Sequence, residues 1–229
     1  MNYMRAVSVN LSQQNKEIVA QTEKFVKNAL AGAEAGHDWW HIHRVYNNAK
    51  LILETEEADQ FVVVLAVLLH DIADSKFNEG NDEVGPKTAG EFLRSILVEE
   101  NVIIHVQQII RNVSFHSGLT RVEFRSKELE IVQDADRLDA IGAIGVARTF
   151  TYGGFKNREI FNPEIPPALN MSKEEYKNSA GPSINHFYEK LLLLKDKMNT
   201  KTGRRIANDR HNFMKLYLKQ FENEWNGKG

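Results

Sequence analysis

The sequence has no cysteine, which excludes disulfides and any metal site built on thiolates. Proline is scarce and clustered: four of the five, Pro163, Pro166, Pro167 and Pro182, fall between 153 and 182. Neither sign of charge is in excess, since 29 Lys and Arg face 31 Asp and Glu. That balance gives no reason to expect a nucleic-acid groove or a polybasic membrane surface. No apolar run approaches the ~20 residues that span a bilayer. The segment Met1–Val7 lacks the long apolar core of a signal peptide. These absences predict a soluble, cytoplasmic protein. What is present is a core: 42% of the 229 residues are hydrophobic, enough for one domain, or for one with an attached lobe.

The apolar residues recur at helical spacing almost throughout. Leu11, Ile18, Thr22, Phe25, Val26, Ala29, Leu30 and Ala33 predict a first helix, with Gly36 as its stop. Asp38 is an N-cap candidate for the next, in which His41, Val45, Ala49 and Ile52 share one face. Asp59 is placed to cap a third, and Pro86 suits the first turn of a fourth. A fifth, capped by Asn101, turns Val102, Val106, Ile109, Ile110 and Val113 inward and stops at Gly118. One unbroken helix is expected from Ser126 to Phe150, carrying Leu129, Val132, Leu138, Ile141 and Val146. Residues 153–182 break the pattern, and a loop of this length usually serves as a lid, a binding loop or a partner surface. Ser183 then caps a helix with Ile184, Phe187, Tyr188, Leu191 and Leu194. A last helix from about Thr202 turns Ile206, Phe213, Met214, Tyr217, Phe221 and Trp225 inward. No stretch alternates as a strand does, so the expected class is all-α.

Three stretches carry chemistry. Phe61 to Leu69 is apolar without interruption and reads as a buried helix; His70-Asp71 ends it. Ionisable groups there are costly unless paired or bound to a metal, although the pair would also serve as a helix cap. His41 points with an apolar stripe toward the core, as a structural histidine or a ligand. In Gln133-Asp-Ala-Asp-Arg-Leu-Asp-Ala-Ile-Gly142, three aspartates oppose helix propensity. Asp136 and Asp139, three apart, project from neighbouring turns. Ala135, Leu138, Ala140 and Ile141 interleave too tightly for a fully solvated acidic face. Taken together, His41, His70, Asp71 and Asp136 offer two imidazoles and two carboxylates, a donor set that suits a divalent transition metal with water in the open positions. They converge only if the helices pack as a bundle.

The order His, His-Asp, Asp resembles the HD-domain metal-dependent phosphohydrolase superfamily over most of residues 20–150. His41-Ile-His-Arg-Val45, Leu68-Leu-His-Asp-Ile-Ala-Asp74 and Ala135-Asp-Arg-Leu-Asp139 carry the likeness. Gly36-His-Asp-Trp-Trp-His41 and Asp134-Ala-Asp-Arg-Leu-Asp-Ala-Ile-Gly-Ala143 narrow it to small bacterial HD hydrolases of the YpgQ/YedJ type. The resemblance implies a single HD-type helical domain over 1–229, its metal-site core at about 20–150, followed by the loop 153–182 and additional C-terminal helices over 183–226. It implies metal ligands at His41, His70, Asp71 and Asp136, and activity on nucleotide phosphates. Two departures matter. Cyclic-dinucleotide phosphodiesterases of the HD-GYP type follow His-Asp with Gly-Lys and carry a Gly-Tyr-Pro element; this chain has Ile72-Ala-Asp74 and lacks the element. Guanosine-tetraphosphate hydrolases end the last motif in Arg-Leu-His-Asn, against Arg137-Leu-Asp-Ala140 here.

The expected reaction is hydrolysis of a phosphoanhydride or phosphoester bond of a nucleotide, a triphosphate first, by a metal-activated water. The ion is manganese ahead of magnesium, cobalt, nickel, zinc or iron(II). Asp74, one turn beyond His70, is the candidate to orient or deprotonate that water, or else to hold a ligating histidine. His37, Arg44, Lys76, His116 and Arg148 are the candidates to bind phosphate oxygens. The long loop and the C-terminal helices could serve a homodimer. A regulatory protein that binds metal and nucleotide without turnover is disfavoured by the intact ligand set. A di-iron oxygenase would need further histidines, for which His37, His105 and His116 are available.

Overall fold

A computed structural model describes residues 11–32, 38–72, 83–113, 124–169, 171 and 180–228. The chain divides into two units, residues up to Asp136 and residues from Arg137 onward. Among the described residues every regular element is a helix, as the sequence predicts.

The first unit is built around its most apolar segment. Helix α3 (Gln60–Leu69) buries every residue from Val62 to Leu69. Its four valines are poor helix formers, and ten residues are too few for a helix to stand alone in water. Packing decides the outcome: α1 (Gln13–Ala29), α2 (Trp39–Leu53) and α5 (Glu100–Val113) all lie against it. Asp59 starts it as expected, its Oδ1 accepting from the N–H groups of Phe61 (2.9 Å) and Val62 (3.1 Å). Helix α4 (Val84–Ser95) packs on α5 and carries Pro86 near its start. It is fastened to α1 by the stacked rings of Phe25 and Phe92, 3.9 Å apart.

Some boundaries differ from expectation. Helix α1 runs from Ser12, whose side chain caps it, only to Ala29, and Gly32 has φ 86°. Asn101 does not cap α5 but is its second residue, because the helix begins at Glu100. The stops expected at Gly36 and Gly118 lie outside the described residues.

The unbroken helix expected over 126–150 is two helices, α6 (Lys127–Asp139) and α7 (Gly142–Phe155). The chain leaves α6 through three-residue bonds, Ala140 N–H to Arg137 O (3.1 Å) and Ile141 N–H to Leu138 O (3.3 Å). Gly142 then takes φ 76°, a left-handed conformation that costs glycine little and other residues more. A Cβ there would also lie 2.9 Å from Arg210 Cγ. That arginine donates to Leu138 O over 2.6 Å and so satisfies a carbonyl at the end of α6.

In the second unit, α7 packs on α9 (Lys201–Trp225). Between them in sequence come a short α8 (Asn185–Glu189) and a 3-10 helix (Leu191–Lys197) in place of the single helix expected after Ser183. Ser183 is buried but makes no cap, since the residue before α8 is Ile184. Phe150, Phe187, Tyr217 and Phe221 form a ring cluster with centroids 5.9 to 6.4 Å apart. Of the inward face expected on α9, Met214 is buried while Phe213 and Trp225 are 45% and 52% exposed. The apolar stripe is narrower than its aromatic content suggested: Thr202, Gly203, Ala207, Met214 and Leu218 are the residues it buries.

Candidate metal centre

Asp38 begins α2 by accepting from His41 N–H at 2.9 Å. The first turn is thereby fixed, and His41 follows the buried face of Ile42, Val45, Ala49 and Ile52 into the interior. His70 closes α3 at its C-cap position, where helical carbonyls lack intrahelical donors. Its Nδ1 lies 2.8 Å from Val67 O. A carbonyl only accepts, so Nδ1 carries the proton. In the neutral ring, Nε2 therefore bears the lone pair, the tautomer that a metal ligand requires. One hydrogen bond both caps the helix and prepares the histidine.

Three of the four predicted ligands cluster, and the fourth, Asp136, approaches both histidines. Atoms of His41, His70 and Asp71 all lie within 4.8 Å of one another. His41 Nε2 is 3.6 Å from Asp71 Oδ2 and 3.5 Å from Asp136 Oδ1. His70 Nε2 is 4.0 Å from the same Asp136 oxygen. These separations exceed an ordinary hydrogen bond. They are close to the roughly 3–4 Å that two ligands keep when each is about 2.1 Å from one ion. The histidine rings meet edge to face, with centroids 5.4 Å apart. Both imidazoles are 3% exposed, whereas Asp71 and Asp136 are 17% and 38% exposed. The site thus has a buried imidazole floor and a carboxylate rim. Two carboxylates beside two neutral imidazoles carry a charge of about −2, which a divalent cation balances. The residues fit a metal.

The other aspartates of the 133–142 stretch differ. Asp134 and Asp139 are both buried, and Asp139 forms an ion pair with the partly exposed Arg148 of α7. Arg148 is therefore engaged by a carboxylate that the sequence placed beside Asp136. Arg44 is half-buried on α2, one turn beyond His41. His37, Asp74, Lys76 and His116 lie outside the described residues. His105, a spare histidine for a two-iron site, meets Ser126 Oγ at 3.0 Å and Glu128 Oε2 at 3.4 Å. A further buried polar residue, Asn48, was not singled out in the sequence. Its signal was position: an amide two turns beyond His41 on an otherwise apolar face.

Comparison with known proteins bears on the same residues. A family model described as HD domain matches residues 39–141, which contain all four predicted ligands. The chain is 37% identical over 207 residues to YpgQ of Bacillus subtilis (strain 168), covering 89% of this chain and 92% of that one. It is similar to the crystal structure of an HD-superfamily hydrolase from Bacillus thuringiensis, with 42% identity and TM-score 0.75, covering 93% and 100% of the two chains. It is likewise similar to Bacillus subtilis YpgQ in complex with ADP, with 33% identity and TM-score 0.74, covering 93% and 97%.

Proposed function

The chain belongs to the HD-domain family, and we propose that it is a metal-dependent phosphohydrolase acting on a nucleotide, a nucleoside triphosphate first. The observation that carries this reading is the clustering of His41, His70 and Asp71, with Asp136 Oδ1 3.5 Å from His41 Nε2 and the His70 tautomer set by Val67 O. Solved relatives bear the name HD-superfamily hydrolase, which supports bond hydrolysis. The ADP complex of YpgQ supports a nucleotide over other phosphorylated compounds.

His41, His70, Asp71 and Asp136 would hold the ion, for which manganese is the first choice. A divalent ion held there supplies an acidified water and a polarised phosphoryl oxygen. The residues do the rest. The two buried imidazoles keep one side of the site dry, which strengthens the electrostatics on the other. Asp74 takes the proton of the attacking water, the role of a positioned general base. Arg44, Lys76, His37 and His116 are assigned to the phosphate oxygens, with Arg148 as a further candidate. Among the described residues no helix is long and apolar enough to cross a membrane.

The test is a panel of nucleoside mono-, di- and triphosphates assayed with manganese, magnesium, cobalt, nickel and zinc. Products are separated to distinguish orthophosphate from pyrophosphate. Turnover of a triphosphate with manganese is expected. No release from any nucleotide with any of the five ions would overturn the reading.

A further inference from the structure

Two contacts join helices α2 and α6 along one side of α2. One is the approach of His41 to Asp136. The other is a buried hydrogen bond in which Asn48 Nδ2 donates to Ala135 O over 3.0 Å. Asn48 follows His41 by two helical turns, so both lie on the same side of α2. Ala135 O and the Asp136 N–H belong to a single planar peptide group. Asn48 thus holds the plane from which the Asp136 side chain projects.

The bond is not needed to satisfy the carbonyl. A carbonyl in the body of an α-helix already accepts from the N–H four residues on. Nor is an amide the cheapest filling for this place. Asn48 is 5% exposed, between Val45, Ala49 and Ile52, which are fully buried. Burying an amide among apolar neighbours costs roughly 1–3 kcal/mol unless it is bonded. An apolar side chain of similar size carries no such cost, but it also has no preferred register against α6. A directional bond does set a register, which is the best-attested use of an isolated polar group in an apolar interface.

We propose that Asn48 is a positioning residue that registers Asp136 against His41 and so sets the affinity of the metal centre. The proposal rests on the reading of those residues as metal ligands. Ligand sets need their members held to within roughly 0.5 Å. The two helices bring their ligands together from distant parts of the chain, and the Asn48 bond fixes one against the other beside the ligand itself.

The experiment measures Mn2+ binding by calorimetry to the full chain stripped of metal, with the melting temperature of the stripped protein recorded alongside. The variants are Asn48→Leu, which removes the donor at similar size, and Asn48→Ser, which fits wherever leucine is too bulky. Thr22→Val is the control. Thr22 is fully buried and donates to Ile18 O over 2.8 Å inside α1, so Thr22→Val removes a buried side-chain hydrogen bond that lies on neither α2 nor α6. Mn2+ affinity is expected to fall roughly 10–100-fold in the Asn48 variants, the usual cost of losing a group that orients a ligand. It is expected to stay at the wild-type value in Thr22→Val, and excess Mn2+ is expected to restore nucleotide turnover in the Asn48 variants. Wild-type affinity in either Asn48 variant, or an equal loss in Thr22→Val, overturns the proposal and leaves the metal reading standing. If wild-type protein binds no Mn2+ that His70→Ala abolishes, the metal reading itself fails, and the proposal with it.

Discussion

His41 Nε2 lies 3.5 Å from Asp136 Oδ1, although these residues belong to the second and sixth helices of the chain. An imidazole that is 3% exposed and a carboxylate that is 38% exposed meet where the buried face of α2 reaches the surface. The separation suits two ligands of one ion better than a hydrogen-bonded pair.

The helix that bears His70 is buried from Val62 to Leu69, so its stability is sensitive to volume. Leu68 is fully buried in α3. Leu68→Ala is expected to cost ~2–5 kcal/mol by loss of transfer energy and creation of a cavity. Urea denaturation measures it; a cost under about 1 kcal/mol would mean that α3 is not the centre of the core.

Arg148 has two assignments that one variant separates. Its partner Asp139 is 1% exposed, but Arg148 is 30% exposed and Arg210 also acts on that carboxylate, so loss of Arg148 removes one charge-assisted hydrogen bond, worth about 1.5–3 kcal/mol. Arg148→Met is therefore expected to lower stability by that order, as read by thermal or urea unfolding. A raised KM for nucleotide at unchanged stability would return Arg148 to the substrate.

Much of this was legible in the sequence, for identifiable reasons. His70-Asp71 stood out because it ends a run with no polar residue, and Asp136 because it is acidic among apolar neighbours at helical spacing. The caps Asp38 and Asp59 follow from local chemistry and were found as predicted. The break between α6 and α7 was not legible. Gly142 is compatible with a continuous helix by periodicity, whereas its left-handed φ is accompanied by Arg210, from a helix far along the chain, which crowds the glycine and donates to Leu138 O. The pairing of Asp139 with Arg148 follows from that turn and was hidden with it. Phe213 and Trp225 were read as core because aromatic residues at helical spacing usually are, whereas the buried stripe of α9 is occupied by smaller residues.

Acid sensitivity should arise at His186. Burial, reinforced by Lys190 and then Arg158, pushes its imidazole from 6.5 down to about 3. Between those values the unfolded chain binds a proton that the folded chain does not. Stability is therefore complete above about pH 6.5 and falls as the pH drops toward 3, by at most ~1.4 kcal/mol per unit. His186→Gln is expected to flatten this slope between about pH 6 and 4. Identical slopes in the two proteins would show that the histidine is not the source.

Asp74 distinguishes two mechanisms. As the base for the attacking water, Asp74→Asn keeps the metal and loses rate by ~10²–10⁴. As a group that holds a ligating histidine, it instead weakens metal binding ~10–100-fold, and added metal restores the rate. The first outcome is expected. Manganese titration of turnover decides between them, and near-normal activity at low manganese would remove Asp74 from the mechanism.

In the proposed function, His41, His70, Asp71 and Asp136 hold one ion on which hydrolysis depends. The most direct test follows phosphate release from a nucleoside triphosphate as Mn2+ is returned to chelator-stripped protein. No release is expected before Mn2+ is added, and a saturable return is expected in the wild type. No return is expected in His70→Ala, Asp71→Ala or Asp136→Asn, each of which should also fail to retain Mn2+ through gel filtration. Full turnover by the stripped wild type, or wild-type return in any of these three variants, would contradict this reading.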